Sequence, residues 1–167
     1  MKRSHRFSTS LLATSLFATS ALTWAFADSA AAGVDDKKLD VYWVDVEGGA
    51  ATLFVTPAGE TVLVDTGYPG DRDADRVKKA VTELAGLKKI DHMVITHYHS
   101  DHYGGLADIA TRVPIGTLYS RDLANAPEKE RNDERIGVFK EVKVDKRVRI
   151  KPGAKLPLTQ TKGTAPL

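Results

Sequence analysis

Three of the chain's five histidines fall within ten residues, Thr96-His97-Tyr98-His99-Ser100-Asp101-His102-Tyr103-Gly104-Gly105. The cluster directly follows an apolar, strand-like run, Met93-Val94-Ile95. In an extended segment residues two apart face the same side, so His97 and His99 can direct two imidazoles at one ion. Asp101, two residues on, adds a carboxylate to that side. His102 reaches the ion if the chain turns where Gly104-Gly105 permits. Nitrogen and oxygen donors of this kind suit zinc and leave room for a water. A water held there loses a proton near neutral pH and becomes a nucleophile. The chemistry that follows is metal-dependent hydrolysis. Gly104-Gly105 also lets backbone come close to the site and opens a helix whose free amides can meet an anionic substrate. A lone His-x-His is weak information; His-x-His-x-Asp-His followed by Gly-Gly, after a strand, is strong.

The elements that must position this loop are legible on both sides of it. Residues 39–46 (LDVYWVDV) have strand composition, Gly48-Gly49 breaks the run, and residues 51–56 resume it. Pro57-Ala58-Gly59-Glu60 is a turn, and residues 61–65 return as the second strand of a hairpin. Its last residue, Asp65, opens Asp65-Thr66-Gly67. Val77, Ala80, Val81 and Leu84 form the stripe of an amphipathic helix. Asp71, Asp73 and Asp75 crowd its start, where carboxylates cap amides, and Gly86 ends it. A strand over 90–96, a short helix over 105–112, a strand over 115–119 and a short strand over 147–150 complete the order. The charged run 128–135 (EKERNDER) reads as a solvated helix face, and Trp43 as core. His92 reads as a structural histidine. Tyr98 and Tyr103 suit a substrate pocket or simple packing equally. Strands first, then helix and strand alternating, predict a layered α/β or α+β fold.

The amino terminus has a different character. Lys2, Arg3 and Arg6 precede an apolar run from Leu11 to Ala27 that ends Ala25-Phe26-Ala27, the pattern of a secretory signal peptide cleaved after Ala27. A permanent membrane anchor is the lesser reading, because the run is short and rich in Ser and Thr. The organisation expected is a leader over 1–27, a flexible start over 28–38, a domain over 39–158 and an irregular tail over 159–167. The location that follows is periplasmic or secreted. The chain has 24 basic and 22 acidic residues, a net charge of +2; without Lys2, Arg3 and Arg6 the balance becomes 21 against 22. A basic nucleic-acid footprint is therefore not supported. There is no cysteine, so stability rests on the core or on metal, and the ligands on offer are His and Asp.

The histidine loop resembles the signature of the metallo-β-lactamase-fold hydrolases. Leu63-Val64-Asp65-Thr66-Gly67 is similar to that family's first motif at the end of an early strand. Asp45-Val46-Glu47-Gly48-Gly49-Ala50-Ala51 resembles a segment of the subgroup that includes the extracellular domain of DNA-uptake channel proteins, from which it departs at Glu47, Gly49 and Ala50. The resemblance implies the N-terminal half of an αββα sandwich. It implies two zinc ions, with iron or manganese as other occupants. His97 and His99 would bind the first ion, and Asp101 and His102 the second, with Asp101 placed among the catalytic groups. Asp65 would be a carboxylate outside the ligand set that holds the loop or an adjacent histidine in place.

The family site needs a further histidine for each metal and a bridging carboxylate, yet no histidine follows His102. The expectation is a truncated exported hydrolase, attacking an ester, amide or phosphodiester with zinc-bound hydroxide, and weakly active or inactive as it stands. The alternative is a non-catalytic metal-binding or self-associating module, using a sheet face that lacks its covering half.

Overall fold

A computed structural model of the chain describes residues 35–163. The predicted leader, residues 28–34 of the predicted start, and the last four residues lie outside the described residues. Among the described residues no helix is long and apolar enough to cross a membrane.

Six strands form one mixed sheet in chain order: β1 (Asp40–Trp43), β2 (Thr52–Val55), β3 (Thr61–Val64), β4 (Ile90–Ile95), β5 (Ile115–Ser120) and β6 (Lys146–Arg149). The first three are antiparallel neighbours, and β3 to β6 run parallel. Antiparallel neighbours need only a tight link. β2 and β3 turn through Pro57-Ala58-Gly59-Glu60, where Gly59 takes a φ of 81° that an L side chain resists. Parallel neighbours need crossovers, and here the crossovers are helical. α1 (Asp71–Lys79) joins β3 to β4, α2 (Ser100–Tyr103) and α3 (Leu106–Ala110) join β4 to β5, and α4 (Glu128–Arg131) and α5 (Ile136–Glu141) join β5 to β6. α3 packs against both α1 and α5, so these helices form one layer.

Alternation along the strands decides which side chains meet that layer. Leu53, Leu63, Met93, Ile95 and Leu118 are all buried on the helix side. They join Val77, Val81, Leu106, Ile109 and Phe139 in one core. Burying each large aliphatic side chain contributes about 1.5–3 kcal/mol, which fixes the strand register. On the opposite face Phe54, Val62, Val64 and Val94 line a groove of about 590 Å³, walled on its other side by Leu156 and Leu158. The Thr159 amide and hydroxyl donate to the Glu60 carboxylate at 2.6 and 2.8 Å. Residues 150–159 are thereby drawn across this face as a strap. The face expected to be bare is partly covered by the chain itself.

Three expectations fail for identifiable reasons. Trp43 is 80% exposed rather than core, because it closes the edge strand β1 and no described residue covers it. Leu84 is 54% exposed despite its place in the apolar stripe. After α1 the chain widens into a π-helical turn over Ala80–Leu84, closed by the Ala85 amide donating to Ala80 O at 2.9 Å. That turn rotates Leu84 outward and delivers Ala85 to the core in its place. Nor do the three aspartates cap α1: Gly70 is its N-cap residue, with no side-chain cap. Asp71 and Asp75 instead hold Arg112 at 2.5 and 2.7 Å, and Asp73 accepts from the Tyr68 amide at 2.8 Å.

Gly104 and Gly105 are close-approach positions, as their spacing after the histidines suggests. A Cβ on Gly105 would collide with the Thr66 carbonyl oxygen, whereas one on Gly137 in α5 would meet nothing within 4 Å. Gly105→Ala is expected to destabilise the fold by about 2–3 kcal/mol. Gly137→Ala should stabilise it by about 0.5–1 kcal/mol. Thermal and urea unfolding of the two variants measures both, and equal effects would show that the approach at Gly105 is not tight.

Candidate metal centre

Parallel strands deliver their carboxyl ends to one edge of a sheet, and the loops leaving that edge meet there. β3 ends at Val64, so Asp65 emerges beside the end of β4, with its amide donating to Val94 O at 2.8 Å. Asp65 is buried and has a φ of 60°, a left-handed conformation that Asp tolerates better than most residues. This turns its carboxylate sideways onto the next loop. Oδ1 accepts from the Thr96 amide at 2.9 Å, and Oδ2 from the Thr96 hydroxyl at 2.7 Å. Oδ2 also lies 2.8 Å from His102 Nδ1. Backbone adds to the same junction, since the Thr66 amide and hydroxyl both donate to His102 O, at 2.7 and 2.8 Å.

These bonds fix which nitrogen each imidazole can offer. An ionised Asp65 only accepts, so His102 donates from Nδ1 and keeps the Nε2 lone pair free. Thr96 has one hydroxyl proton, which goes to Asp65. His97 Nδ1, 3.0 Å from the same hydroxyl, is then the donor there and also keeps Nε2 free. Burial, and then the nearby His102 and His99 rings, hold His97 below the ordinary imidazole value. A neutral ring is the form a metal accepts.

The structure brings the predicted residues together but not onto a single point. The His97 ring lies 4.5 Å from that of His99 and 3.9 Å from that of His102, centroid to centroid. Asp101 does not extend the His97–His99 line. It sits in the first turn of α2, with Oδ2 3.7 Å from His102 Nε2 and its carbonyl accepting from the Ala50 amide at 3.1 Å. Among the described residues no three His, Asp or Glu side chains are gathered closely enough to hold an ion. The donor chemistry fits a metal, with free Nε2 atoms on two oriented rings beside a third imidazole and a carboxylate. His97, His99, Asp101 and His102 are the side chains that would hold it. The Gly105 amide is not free for an anion, because it donates to Gly67 O at 3.2 Å.

The remaining aromatic and histidine assignments resolve into packing. Tyr98 and Tyr103 are both buried and stack edge-on with each other and with Phe139. His92 is buried with Nδ1 3.2 Å from Tyr119 Oη, away from the loop. One residue that matters was hidden in the charged run. Glu130 is buried, not solvated, and accepts from the Tyr98 amide at 3.0 Å while pairing with the Arg121 guanidinium. It therefore grips the loop between His97 and His99. The run 128–135 contains no apolar residue to reveal which side of its helix turns inward.

The Metallo-beta-lactamase superfamily model matches residues 44–163, which include every residue of this junction. The chain belongs to that superfamily. Among relatives, it is 36% identical over 80 residues to a UPF0173 metal-dependent hydrolase of Cupriavidus metallidurans, covering 47% of this chain and 25% of that protein. It is 35% identical over 80 residues to the lactamase-like protein adaB of Aspergillus niger, covering 48% and 24%. It is 33% identical over 66 residues to the atrochrysone carboxyl ACP thioesterase dmxR1 of a Cryptosporiopsis species, covering 40% and 20%. The matched stretch thus spans about a quarter or less of these relatives' length. The six-stranded mixed sheet with its helix layer is consistent with the sandwich of that superfamily.

Two outcomes follow from the junction. Asp65→Asn keeps the left-handed backbone but loses the ionised acceptor, and should weaken zinc binding roughly 10–100-fold in calorimetry. Glu130 is held below its ordinary value, since Arg121 and the Tyr98 amide outweigh the upward push of burial. A depressed carboxylate contributes stability that is present above its unfolded value and lost as pH falls through the folded one. Glu130→Gln should cost about 2 kcal/mol at neutral pH and flatten the acid limb of stability against pH. An unchanged acid limb would remove Glu130 from this role.

Proposed function

We propose that this chain carries the histidine-loop part of a zinc-dependent hydrolytic centre in an exported protein, acting on an ester, amide or phosphodiester bond. The observation that supports it is the Asp65–His102 contact at 2.8 Å, which leaves Nε2 directed away from the carboxylate and available to a metal. A bound metal supplies Lewis acidity and lowers the pKa of a water. The protein groups supply the rest. His97 and His99 approach from the extended segment after β4, and Asp101 and His102 approach from the first turns of α2. Asp65 and Thr96 hold the rings and their protons in place, and Glu130 anchors the intervening Tyr98.

With four donors in the loop and no histidine after His102, this chain binds metal weakly and turns over little. Iron and manganese are the other occupants consistent with these donors. Export rests on the leader pattern of residues 1–27. A second reading, a non-catalytic metal-binding or self-associating module, is favoured on its self-associating side by the apolar groove over β2, β3 and β4.

Zinc titration of the purified chain, followed by assays with β-lactam, carboxylic ester and phosphodiester reporters, separates these readings. Weak, exchangeable zinc binding that disappears in His97→Ala and His102→Ala, with little hydrolysis, is the expected result. Substantial zinc-dependent turnover would overturn the low-activity part. Zinc binding that persists in both variants would overturn the site. Tight stoichiometric zinc without turnover would favour the second reading.

A further inference from the structure

Beside the histidine loop lies a second concavity that the metal chemistry leaves unused. A cleft of about 270 Å³ opens between the carboxyl ends of β5 and β6 and the flank of α5. Tyr98, which stands between His97 and His99, forms part of its wall. Four cations line it, Arg121, Lys140, Arg147 and Arg149, against a single carboxylate, Asp122.

The local pairing uses up only part of this charge. Arg121 pairs with Glu130 through Nη2, lies over the Tyr98 ring at 5.7 Å, and has an enclosed Nε with no hydrogen-bond partner. Arg147 donates to Phe139 O and Val142 O at 2.9 and 2.7 Å, which caps α5 but leaves the charge without a carboxylate. Arg149 reaches Asp122 only at 3.4 Å, and its side chain is 78% exposed. Lys140 is exposed on α5 and forms no ion pair among the described residues. The surrounding stretch, residues 135–151, carries seven Lys or Arg against two Asp or Glu, in a chain whose net charge is +2.

Charged residues on an edge strand such as β6 discourage edge-to-edge pairing. That accounts for Lys146 and Arg149, but not for the convergence of Arg121 from the interior strand β5 and Lys140 from a helix on one concave surface. Guanidinium groups bind planar and tetrahedral oxyanions through paired N–H donors. With Glu130 on Arg121 and Asp122 near Arg149, four cations face two carboxylates, and the remaining excess of two positive charges favours the more highly charged of these.

We propose that this cleft is an anion subsite which holds a phosphate group of the substrate beside the histidine loop. The assignment rests on the histidine loop being the reaction centre. It narrows the substrate to an organic phosphate, or to an ester or amide that bears one. The subsite is joined mechanically to the loop, because Arg121 pairs with Glu130 and Glu130 holds the Tyr98 amide. An anion on Arg121 therefore bears on the segment between the two histidines.

The test uses the full chain with metal removed by chelation, so that binding is read without activity. Inorganic phosphate is titrated at constant ionic strength and followed by amide chemical shifts and calorimetry. Saturable binding with shifts at Arg121, Lys140 and Arg149 is expected. Combined charge reversal of the two exposed residues, Lys140→Glu with Arg149→Glu, should weaken it by roughly tenfold or more with unfolding temperature preserved. His97→Ala should leave it unchanged. No saturable binding, or binding indifferent to the double reversal, would overturn the subsite. Binding lost in His97→Ala but kept in the double reversal would place the anion in the histidine loop and overturn it equally. Acetate binding as tightly as phosphate would overturn the phosphate assignment. Phosphate binding of the expected kind, together with zinc binding that persists in both His97→Ala and His102→Ala, would leave the subsite standing and remove the histidine loop as the reaction centre instead.

Discussion

The Asp65 carboxylate is the contact on which the rest of the centre depends. It sits at the end of β3 in a left-handed conformation and accepts two hydrogen bonds from Thr96 and one from His102. One buried group thus sets the start of the ligand loop, the ring orientation of its last histidine and, through the Thr96 hydroxyl, the proton on its first. A buried carboxylate is costly unless its lone pairs are met. Here the groups that meet them are the ones the chemistry needs, so folding and site formation are the same event.

Close backbone approach is what lets this junction form. Gly105 sits against the Thr66 carbonyl, and Gly49 against the carbonyl of Asp101. Ala50 donates to Asp101 O, and Gly67 donates to Ala50 O at 2.8 Å. Three loops, following β1, β3 and β4, are laced together through main-chain atoms. Side chains then ride on a frame whose geometry does not depend on their own rotamers. This explains why the six-residue stretch from His97 to His102 can be held firmly although α2 is only four residues long.

The sheet and the site were legible in the sequence to different depths. β2 alternates cleanly, whereas β3 and β4, buried on successive residues, announce themselves by apolar and β-branched composition bounded by turns. The histidine loop is legible because few other functions call for three imidazoles and a carboxylate in six positions. What was not legible depends on neighbours in space. Trp43 carries a core composition signal but lies on an edge strand, where no described residue covers it. Leu84 fits a 3.6-residue period, which the π-helical turn breaks. Glu130 sits in a run of charges that looks solvated, yet it is buried because Arg121 and the Tyr98 amide are brought to it from 9 and 32 residues away. Pair interactions over such distances leave no periodic mark. The same holds for Asp71 and Asp75, whose partner Arg112 lies beyond a strand and two helices.

The strap over the apolar face has a consequence for the order in which the molecule assembles. Its anchor, Thr159 on Glu60, joins residues 99 positions apart. Closing so long a loop is entropically more demanding than forming the β2–β3 hairpin or docking α1, so it gains nothing until the sheet beneath it exists. Phe54, Val62, Val64 and Val94 are therefore assembled as a bare apolar surface before their cover arrives. The interval between sheet formation and strap docking is when two chains could most readily meet through that face. The speed of a single late closure, and not the final stability, would set how much of the protein is lost to that encounter.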